Sequence, residues 1–298
     1  MTPPVVLSIA ATDSGGGAGL AADLATYAAL GAHGACVVTA VTAQDTTAVH
    51  AVHPVPVDLV AAQLDAVLDD LPVTTVKTGV LGSAAVVRLV AERCAHLPLV
   101  VDPVLRATTG ATFADADMVA AYRELLPVAA LVTPNAAEAR VLLGHDGPPE
   151  RLAADLAGLG PAVVVTGGDP ATADPATDPA AGPATAECVD WLAVPGHAPE
   201  PLRHPTVPTA NDHGTGCTFS AALAAHLADR LLHASPPKSP RGPAATPARL
   251  TAEALRWTAV QAARFTATQL ARSTTWDLGR GRGPIAHVHE ADTTGEHR

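Results

Sequence analysis

Thr-Ala-Asn-Asp-His-Gly-Thr-Gly-Cys-Thr-Phe-Ser (209–220) leads into an alanine-rich run, 221–232, with helical character. Gly214 and Gly216 lack a Cβ, so the chain there can bend tightly and expose consecutive N–H groups. Thr215, Cys217 and Thr218 then fall at or near the first helical turn. First-turn amides have no internal partner, and the helix dipole adds partial positive charge, so this stretch predicts a seat for an anion such as phosphate. At such a terminus the Cys217 thiol is expected to have a lowered pKa and to serve as base or nucleophile. The plainer alternative is a glycine-capped helix with a small buried cysteine.

Working outward, short Val/Ala/Leu runs alternate with helical patterns. Strands are expected at 5–11, 36–41, 73–76, 97–101, 129–132 and 161–165, with a possible hairpin holding 189–194. Helices are expected at 20–30, 57–71, 84–94, 118–126, 135–143 and about 251–270. Continuous apolar strands alternating with helices indicate a parallel sheet covered on both faces, with ligands gathering beyond the carboxyl ends of the strands. Those ends carry Asp13, Gln44-Asp45, Lys77-Thr78, Asp102, Asn135 to Glu138, and Gly167-Gly168.

Composition narrows the function. The chain has 298 residues, 48% hydrophobic and only 3% aromatic, and a formal net charge of −11 with scattered Lys and Arg. A nucleic-acid partner would call for a clustered basic face. No apolar run approaches a membrane span, and the N-terminus lacks the pattern of a signal peptide. Cys36, Cys94, Cys188 and Cys217 are widely spaced, with no CxxC pair, which suits reduced thiols and a cytoplasmic location. The Asp/Pro/Ala/Thr repeats of 169–185 and the Pro/Ser-rich 235–247 are expected to be flexible insertions in one domain spanning 1–298.

Gly15 to Gly19 opens a helix after a strand, but Leu20 breaks the GxGxxG spacing of a dinucleotide fingerprint. GxxxxGK[ST] and HExxH are absent. Gln44 both donates and accepts, which suits a heteroaromatic ring, though a solvated loop amide reads the same way. Asp102 and Asn135-x-x-Glu138 bring hard oxygen donors suited to hydrated magnesium; a helix cap and a surface charge are the plainer readings. Lys77 could meet a phosphate or form a structural ion pair.

Taken in order, Asp13-Ser-Gly-Gly-Gly-Ala-Gly, Thr39 to Gln44, Lys77-Thr-Gly-Val-Leu, Asp102-Pro-Val, Thr133-Pro-Asn-Ala-Ala-Glu and His213-Gly-Thr-Gly-Cys-Thr resemble the hydroxymethylpyrimidine/phosphomethylpyrimidine kinases of thiamine biosynthesis, within the ribokinase-like superfamily. The closing 278–285, Leu-Gly-Arg-Gly-Arg-Gly-Pro-Ile, fits the same pattern. The resemblance implies a three-layer α/β/α sandwich on a mostly parallel sheet, a homodimer, and ATP with Mg²⁺. It implies phosphorylation of 4-amino-5-hydroxymethyl-2-methylpyrimidine and then of its monophosphate. It makes Cys217 the catalytic base, with Gly214, Thr215 and Gly216 as the anion hole. Gln44, Asp13, Gly16, Gly17 and Val80 would lie on the substrate side. Asp102, Asn135, Glu138, Thr166 and Gly168 would serve ATP and magnesium, with Glu138 and Asp102 holding the ion through water. Departures are Asp45 for a usual Asn, Val80 for Met, Arg106 for a small apolar residue and Thr166 for Lys. A pyridoxal or pyridoxine kinase, or a pyrimidine-binding protein without activity, are the alternatives.

Overall fold

In the computed structural model, residues 2–105, 115–167, 187–234 and 250–288 are described. The expected insertions 169–185 and 235–247, together with Arg106 and Gly168, lie outside them. Strands β1 (Val5–Ala10), β2 (His33–Val38), β5 (Val73–Thr78), β6 (Leu99–Val101), β7 (Leu131–Val132) and β8 (Ala162–Val165) run parallel. Two antiparallel strands, β9 (Glu187–Ala193) and β10 (Glu200–Pro205), extend them into an eight-stranded sheet of order β10-β9-β8-β7-β6-β5-β1-β2.

Alternation along each strand splits the core in two. Leu7, Ile9, Val163 and Val165 face one side, and Val6, Ala162 and Val164 the other. The first side packs α2 (Val57–Asp70), α3 (Ala84–Cys94), α4 (Ala116–Leu125), α5 (Ala136–Leu143) and α6 (Pro149–Ala157). The second packs α1 (Gly19–Ala29), α7 (Thr215–Ala234) and α8 (Ala252–Ser273). The result is the expected α/β/α sandwich. Strands pleated between two helical layers bury both faces, which is why they read as unbroken apolar runs.

The expected strand at 36–41 is in fact two. At Thr39 the chain leaves the sheet, its amide donating to Ala10 O (3.0 Å) and its hydroxyl to Val80 O (2.6 Å). Then β3 (Ala40–Gln44) pairs with β4 (Val49–Pro54) as a separate hairpin. This departure carries Gln44 over the sheet edge. Strand order reverses at β1: the chain passes from β1 through α1 to β2 on one side, and only after the β3–β4 hairpin and α2 returns as β5 on the other. Such a switch point leaves a crevice at the strand ends, and α7 packs across it on β1, β5 and β6.

Beneath α7 lies a buried ion pair. Lys77 of β5 donates to Asp23 of α1 at 2.8 and 2.9 Å with neither side chain exposed, and Ser8 also donates to Asp23. Burial alone would lower the Lys77 pKa, but the Asp23 charge reverses this and keeps the ammonium protonated. Of the two sequence readings of Lys77, the structural ion pair is the one found.

Candidate active site

A cavity of about 580 Å³ opens beyond the carboxyl ends of the parallel strands. Asp13 follows β1, Val80 follows β5, Asp102 follows β6, and Asn135 and Thr166 follow β7 and β8; all five line it. Gln44 and Glu138 line it too, as do Gly214, Thr215, Gly216 and Cys217 at the start of α7. Gly16 and Gly17 are not in the wall. They shape the loop behind it: Gly16 has φ +76°, and a side chain at Gly17 would strike the His213 ring.

That loop is fixed by Asp13. Its carboxylate accepts from the amides of Gly15 and Ala18 (both 2.9 Å) and from His213 Nε2 (2.8 Å). Burial works to raise the Asp13 pKa, but these hydrogen bonds and the His213 ring outweigh it and hold the carboxyl below its ordinary range. Ser14 anchors Gln44 at both ends, donating to its carbonyl and accepting from its amide at 2.7 Å. The Gln44 side-chain amide lies 3.2 Å from the same His213 Nε2. His213 therefore joins the Asp13 loop to Gln44, a role that motif spacing did not reveal. Only its place beside Gly214 hinted at it.

His213 is itself strapped down by the closing segment. Its amide donates to Gly283 O (3.1 Å), and its carbonyl accepts from Ile285 N (3.0 Å). Gly214 has φ +89°, and a Cβ there would collide with the Gly17 carbonyl, so only glycine permits this close approach of loop to helix. Asp45 does not face the cavity. Its carboxylate caps its own turn through Thr47 N (2.7 Å) and Ala48 N (3.0 Å).

Cys217 overturns one expectation. Its thiol is pushed up to about 12, not lowered. Burial of the sulfur is the largest cause; the Lys77 ammonium and the Gly19 amide pull the other way, and the carboxylates of Asp102 and Asp23 add to the rise. A helix N-terminus favours the thiolate, but here desolvation exceeds it.

Asp102 and Glu138 form an opposed pair. Ser220 Oγ donates to Asp102 at 2.9 Å. Glu138 closes a capping box with Asn135, accepting from its amide and donating its own amide back at 2.9 Å. Burial, then the neighbouring Asp102, push Glu138 up to about 8; burial likewise raises Asp102, with Lys77 partly opposing. Two desolvated carboxylates, with Asp102 raising Glu138 further, are what a hard divalent cation would relieve, so the donor set fits magnesium.

The phosphomethylpyrimidine kinase family profile matches residues 13–235. A hydroxymethylpyrimidine/phosphomethylpyrimidine kinase from Rhizobium meliloti is 38% identical over 96% of this chain and 97% of its own length. An ADP complex of Bacillus subtilis pyridoxal kinase superposes with a TM-score of 0.75 at 28% identity, covering 96% of this chain and 98% of that one. Pyridoxal kinase from Staphylococcus aureus in complex with AMP-PCP and pyridoxal matches with a TM-score of 0.75 at 26% identity, over 96% of this chain and 94% of that one.

Proposed function

The chain belongs to the phosphomethylpyrimidine kinase family, and on that premise we propose that it moves the terminal phosphoryl group of ATP onto 4-amino-5-hydroxymethyl-2-methylpyrimidine and then onto the monophosphate. The observation that carries this reading is that Gln44 and Cys217 wall the same cavity, with the first turn of α7 between glycines beside them.

The shared contact at His213 supports a donor role for Gln44. An Nε2 that donates its proton to the Asp13 carboxylate cannot also accept from an amide NH₂. The favoured arrangement turns the Gln44 oxygen toward the ring and its NH₂ toward the cavity, where a pyrimidine nitrogen can accept. Asp13 and His213 would thus position Gln44 without touching the reacting atoms.

Cys217 would take the proton of the attacking alcohol. Phosphoryl transfer depends mainly on positioning and charge stabilisation. Amides of Gly216 and Cys217 at the helix start offer that stabilisation. Magnesium, when bound, would be held through water by Asp102 and Glu138 and would neutralise charge on the transferred group. Because the thiol is protonated at neutral pH in the ligand-free protein, the base role requires that filling the cavity lower its pKa.

Pyridoxal is a second substrate to consider, because pyridoxal kinases superpose over nearly the whole chain. ATP consumption with the hydroxymethylpyrimidine, its monophosphate and pyridoxal, measured in parallel, tests the assignment. Turnover of both pyrimidines above pyridoxal is expected; pyridoxal as the strongly preferred substrate would overturn it. We extend the reading to a homodimer, which light scattering on the purified chain checks.

A further inference from the structure

Three side chains on the β9–β10 wall of the cavity have no part in the proposed reaction. Cys188 and Asp190 are two residues apart on β9, so they share a face of the sheet. His204 sits directly opposite Cys188 in the antiparallel register, and all three side chains border the cavity. One ligand atom from each lies within 4.8 Å of the others. We propose that Cys188, Asp190 and His204 form a binding site for a zinc-like divalent ion, with a fourth coordination position open to the cavity.

The chemistry of the donors favours this ion. A thiolate, an imidazole nitrogen and one carboxylate oxygen are a mixed soft and borderline set, and zinc accepts all three. Tetrahedral zinc bonds of about 2.0–2.3 Å place one sulfur, one nitrogen and one oxygen ~3.3–3.6 Å apart, so side-chain adjustments of roughly 1–1.5 Å suffice.

Two of the three donors are also oriented by a backbone neighbour. Asp190 Oδ1 accepts from the Gly167 amide (3.1 Å), while Oδ2 turns to His204 Nε2 (3.1 Å). On the other side of the ring, His204 Nδ1 lies 3.4 Å from Pro205 O. In the metal-free protein Nε2 carries the proton donated to Asp190. A bound ion would displace that proton, and the Nδ1–H held by the carbonyl would then present the Nε2 lone pair to it, the arrangement usual for ligating histidines. The backbone register, rather than a flexible loop, puts the donors together.

The set is separate from the one suited to magnesium. Asp102 and Glu138 follow β6 and β7, whereas Asp190 and Cys188 belong to β9. One cavity thus offers oxygen donors for a hard ion and a thiolate–imidazole set for a softer one.

Full-length untagged protein, stripped with a chelator and dialysed, is titrated with Co²⁺ and, separately, with Zn²⁺ against a chromophoric competitor. Expected are one equivalent of Zn²⁺ bound in excess Mg²⁺ and a thiolate-to-cobalt charge-transfer band in the near ultraviolet. Cys188→Ser should abolish the band, and Cys188→Ser and His204→Gln should each weaken zinc by at least about tenfold. Cys217→Ser, which removes the other cavity thiol, should keep the band. Substoichiometric zinc in folded wild-type protein, a band that survives Cys188→Ser, or one lost only with Cys217→Ser overturns the site. Circular dichroism of each variant confirms folding, and a rise in Tm with Zn²⁺, seen in wild type and absent from a folded His204→Gln, is the second readout. These outcomes are independent of the kinase assay.

Discussion

Two sets of buried charge lie under the start of α7, and they are built differently. Lys77 and Asp23 are wholly buried, opposite in sign, and joined by two hydrogen bonds. Asp102 and Glu138 are nearly as buried but alike in sign, and both border the cavity. The first set is complete and ties α1 to β5 as architecture. The second set is incomplete, its acidity weakened by burial and, at Glu138, also by the charge of Asp102. Uncompensated charge on a cavity wall is therefore a better guide to function here than buried charge as such. Cys217 feels both sets: Lys77 draws its pKa down, and Asp102 and Asp23 raise it.

The largest effect is expected where the two sets meet. Cys217→Ala should lower kcat by about 10²–10⁴-fold if the thiol is the general base, with an unchanged circular dichroism spectrum. The pH profiles sharpen this. A base acts deprotonated, so the rate rises with pH through its pKa. In the ligand-free enzyme that value is about 12, so the rising limb of kcat/KM, which reports the free enzyme, should lie above that of kcat, which reports the complex. Coincident limbs, or a Cys217→Ala enzyme within a few-fold of wild type, would remove Cys217 from the chemistry.

Next comes the complete set. Lys77→Met strands the Asp23 carboxylate in the core and should cost about 3–5 kcal/mol in urea denaturation. Lys77→Met combined with Asp23→Leu should recover most of that, because replacing a buried pair with apolar groups is often neutral. A single substitution costing less than about 1 kcal/mol would dissolve the contrast.

The layers of the fold were legible because strands buried on both faces must be apolar throughout. The elements missed were those without that signature. Strand β4 reads Val-His-Ala-Val-His-Pro and is largely exposed, while β10 buries only Leu202. Helix α6 has its apolar Leu152, Ala153, Leu156 and Ala157 on one side, behind a proline start that was available as a signal. In the site, Gln44 and Cys217 stood out because motifs mark them. His213 did not, since its partners Asp13 and Gln44 are close only after folding. The trio of Cys188, Asp190 and His204 depends on the β9–β10 register, which no spacing rule encodes. The direction of the Cys217 shift failed because a helix terminus is visible in sequence and the depth of a sulfur is not.

Glu138 tests the incomplete set through stability. Its folded pKa of about 8 stands above its ordinary 4.5, so between those values the folded protein holds a proton that the unfolded chain has released. Stability of the ligand-free protein should therefore fall as pH rises from about 4.5 to 8, by at most about 1.4 kcal/mol per pH unit from this group. Glu138→Gln keeps a side chain able to complete the capping box with Asn135 and should flatten that slope in urea titrations. A slope unchanged by the substitution would mean that Glu138 is ionised throughout, and the two sets would not differ as described.

The smallest effect is expected at Thr166, which borders the cavity at a position where the sequence resemblance implies a lysine. Its amide donates to Pro134 O (2.9 Å) and it bridges to Asn135, so the backbone is fixed independently of the side chain. Thr166→Lys adds a cation to a wall that already holds Asp102, Glu138 and Asp190. If the polyphosphate lies there, a charge-assisted hydrogen bond worth about 1.5–3 kcal/mol, less the loss of rotamer freedom of about 1.5–2 kcal/mol, should lower KM for ATP by less than about tenfold and leave kcat near wild type. Steady-state kinetics at varied ATP read this directly. A large loss of activity would place Thr166 away from the phosphates, and the wall formed by the end of β8 would then belong to another ligand.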